Sequence, residues 1–335
     1  MDDAQLAGQL ILMGIPSTNL PDSARTVLAA DQVGGIFLIG NSSGGVAQTR
    51  EVTDAARRAD RDAHLMVTAD QEGGQIQRLR GPGFDRMPAA IDQADLSDRA
   101  LTQRAEIWGS QLDDAGVDTD LAPVADVVPA DIGAANKPIY ALQRGYGTTP
   151  AAVAPKVVAY IEGMHAAGRG TTLKHFPGLG QVRGNTDFVR DVTDSRTTRD
   201  DALLAPFRKG IAAHADMVMI ALATYSKIDA RQSAAFSAPI ITDMLRGDLG
   251  FHGVVVSDDM NALQVRNLSA SARAWRFLEA GGDLIAIGDP AVAHDMAREI
   301  RDRMSGSDAA RQRVRDSAVR VLTMKAKLGL LRCGT

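Results

Sequence analysis

Short apolar runs recur along the chain, separated by longer stretches in which apolar residues return at helical spacing. Eight runs stand out, at 11–15, 35–39, 65–69, 120–124, 171–175, 217–221, 253–257 and 283–287. Runs such as Gly35-Ile-Phe-Leu-Ile39 are apolar throughout rather than alternating, which suits parallel strands covered on both faces. Helices are expected at 22–31, 47–60, 98–115, 150–167, 199–213, 237–248, 268–280 and 290–303, with a last amphipathic one at 308–328. Ser23, Ser97 and Ser237 lie at or just before helix starts, where a hydroxyl can accept from an unpaired amide. In the last helix Val314, Ala318 and Val321 recur on one face, so its basic residues, Arg311 to Lys327, are expected in water.

Eight strands alternating with helices predict an α/β fold: a single-domain (β/α)8 TIM-type barrel over 1–335 with a C-terminal amphipathic helix. A doubly wound open sheet is the competing architecture, but it would need fewer strands and a phosphate loop after the first. Long Gly- and Pro-rich connectors at 72–96, 125–149, 176–198 and 222–236 each follow a strand and precede a helix. That places them at the C-terminal face, where barrels build their active sites.

Composition narrows the functional classes. The 335 residues are 45% apolar and 23% charged, enough for a large core, and the net charge of −4 offers no broad positive field for nucleic acid. The longest apolar runs, such as Met217 to Ala223, fall far short of the roughly 20 residues of a membrane span. One cysteine, Cys333, excludes an internal disulfide and a cysteine zinc site, and six histidines lack the HExxH spacing, so neither metal nor cofactor is expected. The acidic start Met-Asp-Asp lacks signal-peptide order and points to the cytoplasm; the alternative is export with a leader that is not part of this sequence. With two Trp, four Tyr and eight Phe, any sugar platform must rest on one or two rings.

Several runs end in polar residues. The third ends in Asp70-Gln71-Glu72-Gly73-Gly74 with Arg78 beyond, and the loop after the fourth carries Asn136 and Arg144. The fifth ends in Lys174-His175-Phe176-Pro177-Gly178 and the seventh in Ser257-Asp258-Asp259-Met260. Carboxylates, a Lys-His pair and arginines at one barrel mouth suit a polyhydroxylated substrate and acid–base or nucleophilic work. Each element also has a plainer reading. Asp258 or Asp259 could cap a helix, although one cap needs only one acid. Neighbouring strand residues face opposite ways, so one of Lys174 and His175 is expected inward. Arg78 and Arg144 could pair with surface acids. The stretch Gly178-Leu-Gly180-Gln-Val-Arg-Gly184 is one residue too long for a dinucleotide fingerprint. It reads as a glycine-hinged loop able to close over a site and carry Asp187 with it, or as a surface loop with Asp187 in a turn.

Taken in order, Gly8-Gln9-Leu10, Asp70-Gln-Glu-Gly-Gly-Gln-Ile-Gln-Arg78, Leu121-Ala-Pro-Val-Ala-Asp126, Lys174-His-Phe-Pro-Gly178 and Val256-Ser-Asp-Asp-Met260 resemble glycoside hydrolase family 3. Within it they resemble the single-domain bacterial β-N-acetylglucosaminidases, the NagZ-like enzymes. The resemblance implies a (β/α)8 barrel and retaining exo-hydrolysis of terminal N-acetylglucosamine from peptidoglycan fragments, GlcNAc-MurNAc or its anhydro form, through a covalent glycosyl-enzyme. It places the nucleophile on Asp258 and substrate binding on Asp70, Arg78, Arg144, Lys174 and His175. The implied ligand is a small carbohydrate, with no obligatory protein partner.

One motif departs from the family. Its members follow Lys-His-Phe-Pro-Gly with a second histidine and, further on, an Asp-Ser-His loop whose histidine is the general acid/base. This sequence has Leu179 and Asn185-Thr186-Asp187 at those places. Asp187 thus takes the histidine's position, where a carboxyl of raised pKa can serve directly as acid and base. A negative Asp187 in the second step would repel phosphate and favour water as acceptor. Two other readings stay open: a family-3 hydrolase of chitobiose or another small β-glycoside, and a weakly active or noncatalytic glycan-binding barrel.

Overall fold

The computed structural model describes residues 1–60 and 64–331; Cys333 lies outside the described residues. Its inner wall is built from β1 (Ile11–Pro16), β2 (Gly35–Ile39), β3 (Met66–Ala69), β4 (Thr119–Asp120), β5 (Gly170–Phe176), β6 (Met217–Ile220), β7 (Val254–Ser257) and β8 (Ile285–Ile287). Sequential strands pair in parallel from β1 to β7, and β8 returns to β1 through Ile11↔Ile285 and Met13↔Ile287. Between β7 and β8 the ladder thins to the bridge Val256↔Leu284, with Ser257 N donating to Leu284 O at 3.0 Å. The return of β8 to β1 makes this the expected barrel and excludes an open sheet.

The outer layer is α1 (Asp22–Asp31), α2 (Gly45–Ala59), α3 (Asp98–Asp114), α4 (Pro150–Ala166), α5 (Ala205–Ala212), α6 (Pro239–Asp248), α7 (Ala270–Glu279) and α8 (Pro290–Gly306), followed by α9 (Asp308–Lys327). Departures from the expected elements have local causes. The fourth strand is cut short because Pro123 has no amide to give the ladder, which resumes only at the bridge Val124↔Lys174. The fifth helix begins at Ala205, after a 3-10 turn over Ala202–Leu204, rather than at 199. Ser97 caps α3 by accepting from Ala100 N at 3.2 Å. Ser23 instead lies inside α1, whose cap is Pro21, and Ser237 donates to Asp229 Oδ2 at 2.9 Å while Ala238 caps the π-helical α6.

Two apolar groups hold the layers together. Leu12, Phe37, Met66, Leu121, Met219 and Val256 belong to the barrel interior, and a larger group fills the space between strands and helices. Val321 and Met324 of α9 join the interior group, so the last helix plugs the end of the barrel where the strands begin. Burying such a side chain stabilises by about 1.5–3 kcal/mol each.

This plug corrects the expectation that the basic residues of α9 sit in water for some of them, while Arg315 and Lys327 remain exposed. Arg320 Nη1 lies 3.1 Å from Asp283 and Lys327 Nζ 2.6 Å from Asp216, while Lys325 is fully buried with its ammonium 2.6 Å from Gln9 Oε1. A helix laid across the barrel base cannot keep every long side chain on its outer face. No helix among the described residues is long and apolar enough to cross a membrane.

Burial pulls Lys325 down from 10.5 to about 7, against the attraction of Asp60 and Asp118. Below pH 7 the folded and unfolded chains both hold this proton; between about 7 and 10.5 only the unfolded chain does, so raising the pH favours folding. Urea unfolding should therefore show a Lys325-dependent gain of at most about 1.4 kcal/mol per pH unit above neutrality, absent from Lys325→Met. Parallel pH profiles for the two proteins would contradict this.

Candidate active site

The loops following β3, β4, β5 and β7 meet over the strand ends and enclose a cavity of about 420 Å3. Its lining includes Asp70, Arg78, Arg144, Lys174, His175, Asp187 and Asp258, all seven of the residues expected from the sequence. A larger cavity of about 660 Å3, lined mainly by residues 74–92, contains none of them. Leu121, Met219 and Ala286 contribute an apolar part of the lining from the barrel interior.

The two halves of the cavity are held differently. On one side Lys174 Nζ bridges Asp70 Oδ1 at 2.5 Å and Glu72 Oε1 at 2.6 Å. Arg144 grips the same Glu72 with two bonds, Nε to Oε2 at 2.8 Å and Nη2 to Oε1 at 2.7 Å. Burial alone would raise the Glu72 pKa, but Arg144 and Lys174 together hold it down at about 2. Lys174, also buried, loses by desolvation and gains more from Asp70 and Glu72, so its pKa is raised. Arg144 is therefore not spent on a surface acid, the plainer reading of its sequence. Glu72 has no expected role in the sequence beyond its motif, yet it organises this half. Its place two residues after Asp70 at a strand end was the available signal, since alternate residues share a face.

His175 is set by a second buried acid. Its Nδ1 lies 2.8 Å from Asp126 Oδ2, and Arg144 Nη2 approaches its Nε2 at 3.4 Å. A guanidinium can only donate, so Nε2 accepts and Nδ1 carries the proton toward Asp126. Asp126 also accepts from Leu179 N at 2.7 Å, which ties the start of the β5 loop to the β4 loop. Lys174 and His175 both line the cavity, where alternation predicted only one inward; the peptide between them is cis and β5 shifts register between Leu173 and Phe176. Arg78, whose amide donates to Asp70 O at 3.2 Å, donates through its guanidinium to Asn41 Oδ1 at 3.3 Å. Asn136 is not in the lining. Its amide donates to Leu179, Gly180 and Val182 carbonyls at 2.7, 3.2 and 2.9 Å, fastening the β5 loop.

On the other side stand the acids of β7 and of the β5 loop. Asp259 Oδ1 accepts from Asn261 N at 2.9 Å and Gly288 N at 3.0 Å, so this acid shapes the turn, while Asp258 accepts from Asp259 N at 2.9 Å. Asp187 reaches the cavity because its segment is clasped from the β7 loop. Gln264 N donates to Thr186 O at 3.1 Å, Leu263 N to Asp187 O at 3.4 Å, and the Gln264 side chain accepts from Val192 N at 2.9 Å. Partial desolvation, then repulsion from Asp258, raises Asp187 from 3.8 to about 6, with Arg144 opposing. The glycine-hinged loop of the sequence is therefore seated over the site.

The sequence profile described as "Glycosyl hydrolase family 3 N terminal domain" matches residues 5–324. The chain belongs to glycosyl hydrolase family 3. It is 35% identical over 306 residues to a protein named beta-hexosaminidase from Stenotrophomonas maltophilia (strain R551-3), covering 88% of each chain. Among solved structures it resembles a beta-N-acetylhexosaminidase from Beutenbergia cavernae DSM 12333 at 40% identity, with a TM-score of 0.96 over 97% of this chain and 99% of the other. A family 3 beta-N-acetylglucosaminidase from Paenibacillus sp. str. FPU-7 is 27% identical with a TM-score of 0.87, covering all of this chain and 64% of that one. As a family 3 protein the chain is a glycoside hydrolase, and its barrel mouth is the place where this chemistry belongs.

Removing the Glu72 charge leaves Arg144 and Lys174 buried without their shared partner. Glu72→Gln should cost about 3–5 kcal/mol in urea unfolding at neutral pH. In the unsubstituted protein, Glu72 stabilises fully above pH 4.5 and its contribution is lost as the pH falls through about 2. A Glu72→Gln variant as stable as the parent at pH 7 would overturn this account.

Proposed function

We propose that this chain is a retaining exo-β-N-acetylglucosaminidase that removes terminal N-acetylglucosamine from peptidoglycan fragments. The observation that carries the reading is the pair Asp187 and Asp258: one carboxyl with a pKa of about 6, beside another that is part of its perturbation, in one cavity. Two carboxyls with separated roles are what glycoside hydrolysis needs. A relative named beta-hexosaminidase at 35% identity and a solved beta-N-acetylhexosaminidase at 40% support the sugar.

In the first step Asp258 attacks the anomeric carbon while protonated Asp187 gives its proton to the glycosidic oxygen, and the leaving sugar departs as an alcohol. In the second, Asp187 takes a proton from water, whose oxygen replaces Asp258 on the anomeric carbon. Lys174, Arg144 and Arg78 offer donors to the hydroxyls and acetamide of the bound sugar, and Asp70 offers an acceptor. Glu72 and Asp126 touch no substrate in this scheme; they hold Lys174, Arg144 and His175 in place.

Release of nitrophenol from the β-N-acetylglucosaminide should be abolished by Asp258→Asn. Asp187→Ala should lower turnover of substrates with poor leaving groups by about 10²–10⁴-fold. Because Asp187 must start protonated, kcat/KM should fall as the pH rises past about 6, and this limb should vanish in Asp187→Ala. Unchanged turnover of poor leaving groups in that variant would remove Asp187 from the mechanism. Product analysis on muropeptides beside chito-oligosaccharides tests the substrate: preference for chitobiose would replace the peptidoglycan assignment.

A further inference from the structure

Phe188 follows Asp187 directly, lines the same cavity, and is 73% exposed. Four exposed large apolar residues, Ile91, Tyr140, Phe188 and Val189, lie in the long connectors that follow β3, β4 and β5, Ile91 and Tyr140 in short helical turns. Among the described residues Phe188 is the most exposed of the large apolar side chains. It is also not on a loose segment. Phe188 N and Val189 N both donate to Asn185 O, at 3.1 and 3.0 Å, closing a turn. The carbonyls of Thr186 and Asp187 are held from residues 263–264, and Val192 is held by the Gln264 side chain. Val189 and Val192 pack over Gly184, where a Cβ would stand 2.8 and 3.0 Å from their methyl groups. A fastened turn that turns a phenyl ring toward water gains nothing for folding from that ring.

We infer that Phe188 is a stacking platform for the leaving-group sugar, the second ring of the substrate. This inference rests on the glycosidase reading of the same site. The deep end of the cavity is charged, with Asp70, Arg144, Lys174 and His175, and suits the hydroxyls of the sugar being cleaved off. The acid that protonates the glycosidic oxygen borders the leaving ring, and the next residue in the chain is this phenyl group. The apolar C–H face of a pyranose meets the negative face of an aromatic ring favourably, and contact removes both from water. The small number of aromatic residues fits one platform rather than a row of them.

The test compares two substrates, chitobiose, which has a second ring, and methyl β-N-acetylglucosaminide, which has none. In Phe188→Ala the ratio of kcat/KM for chitobiose to that for the methyl glycoside should fall about tenfold, mainly through KM for chitobiose. Phe188→Tyr should keep the ratio and Phe188→Leu should lose it, which separates an aromatic face from general apolarity. A ratio within twofold of the unsubstituted enzyme in Phe188→Ala, or full retention in Phe188→Leu, overturns the platform. Unsubstituted enzyme that releases N-acetylglucosamine from neither glycoside nor from muropeptides rejects the glycosidase reading itself, a result distinct from an unchanged ratio in an active enzyme.

Discussion

A single buried carboxylate, Glu72, anchors the mouth of this barrel. It takes two bonds from Arg144 and one from Lys174, side chains that come from the loop after β4 and from β5. Three segments far apart in sequence therefore share one point of charge balance. Each of the three charges would be costly at that depth alone, because an unpaired buried charge costs several kcal/mol. Satisfying one another, they stay charged and leave their remaining donors aimed at the cavity. The charged wall of the cavity is in this sense a by-product of neutralising a buried acid.

The same residue type behaves differently at each station around the mouth. Glu72 is held at about 2 by two cations, whereas Asp120, buried beneath it, is pushed up to about 7 by desolvation despite a 2.8 Å bond from the Tyr160 hydroxyl. Asp187, at the rim with Asp258 as its neighbour, stands between them at about 6. The order follows the balance between lost hydration and facing charge. A barrel mouth supplies both in steep gradients, since its floor is a packed core and its rim is water.

The loop carrying Asp187 is held in place from two neighbouring loops. Asn136 and Asp126 fasten its start to the β4 loop, and Gln264 fastens its tip to the β7 loop. Each of these side chains grips the loop's backbone, so none of the contacts involves the side chain at 187. The scaffold therefore sets residue 187 in the same cavity as Asp258.

The chain's own pattern determined the barrel: apolar runs covered on both faces and separated by amphipathic helices leave little room for another arrangement. Polar groups at the strand ends and in the loops singled out candidates, and the family resemblance gave roles to seven residues that line one cavity. Tertiary structure alone decided four things. Glu72 and Asp126 proved to be the supports, since which acid a distant cation will find cannot be read from spacing. Lys174 and His175 both turned inward, against the alternation of an ideal strand. Lys325 became buried in a helix whose pattern gave it no special place, and Phe188 came to stand fastened beside the acid. Each is a contact between segments remote in sequence, and periodicity reports only which way a residue faces, not what it will meet.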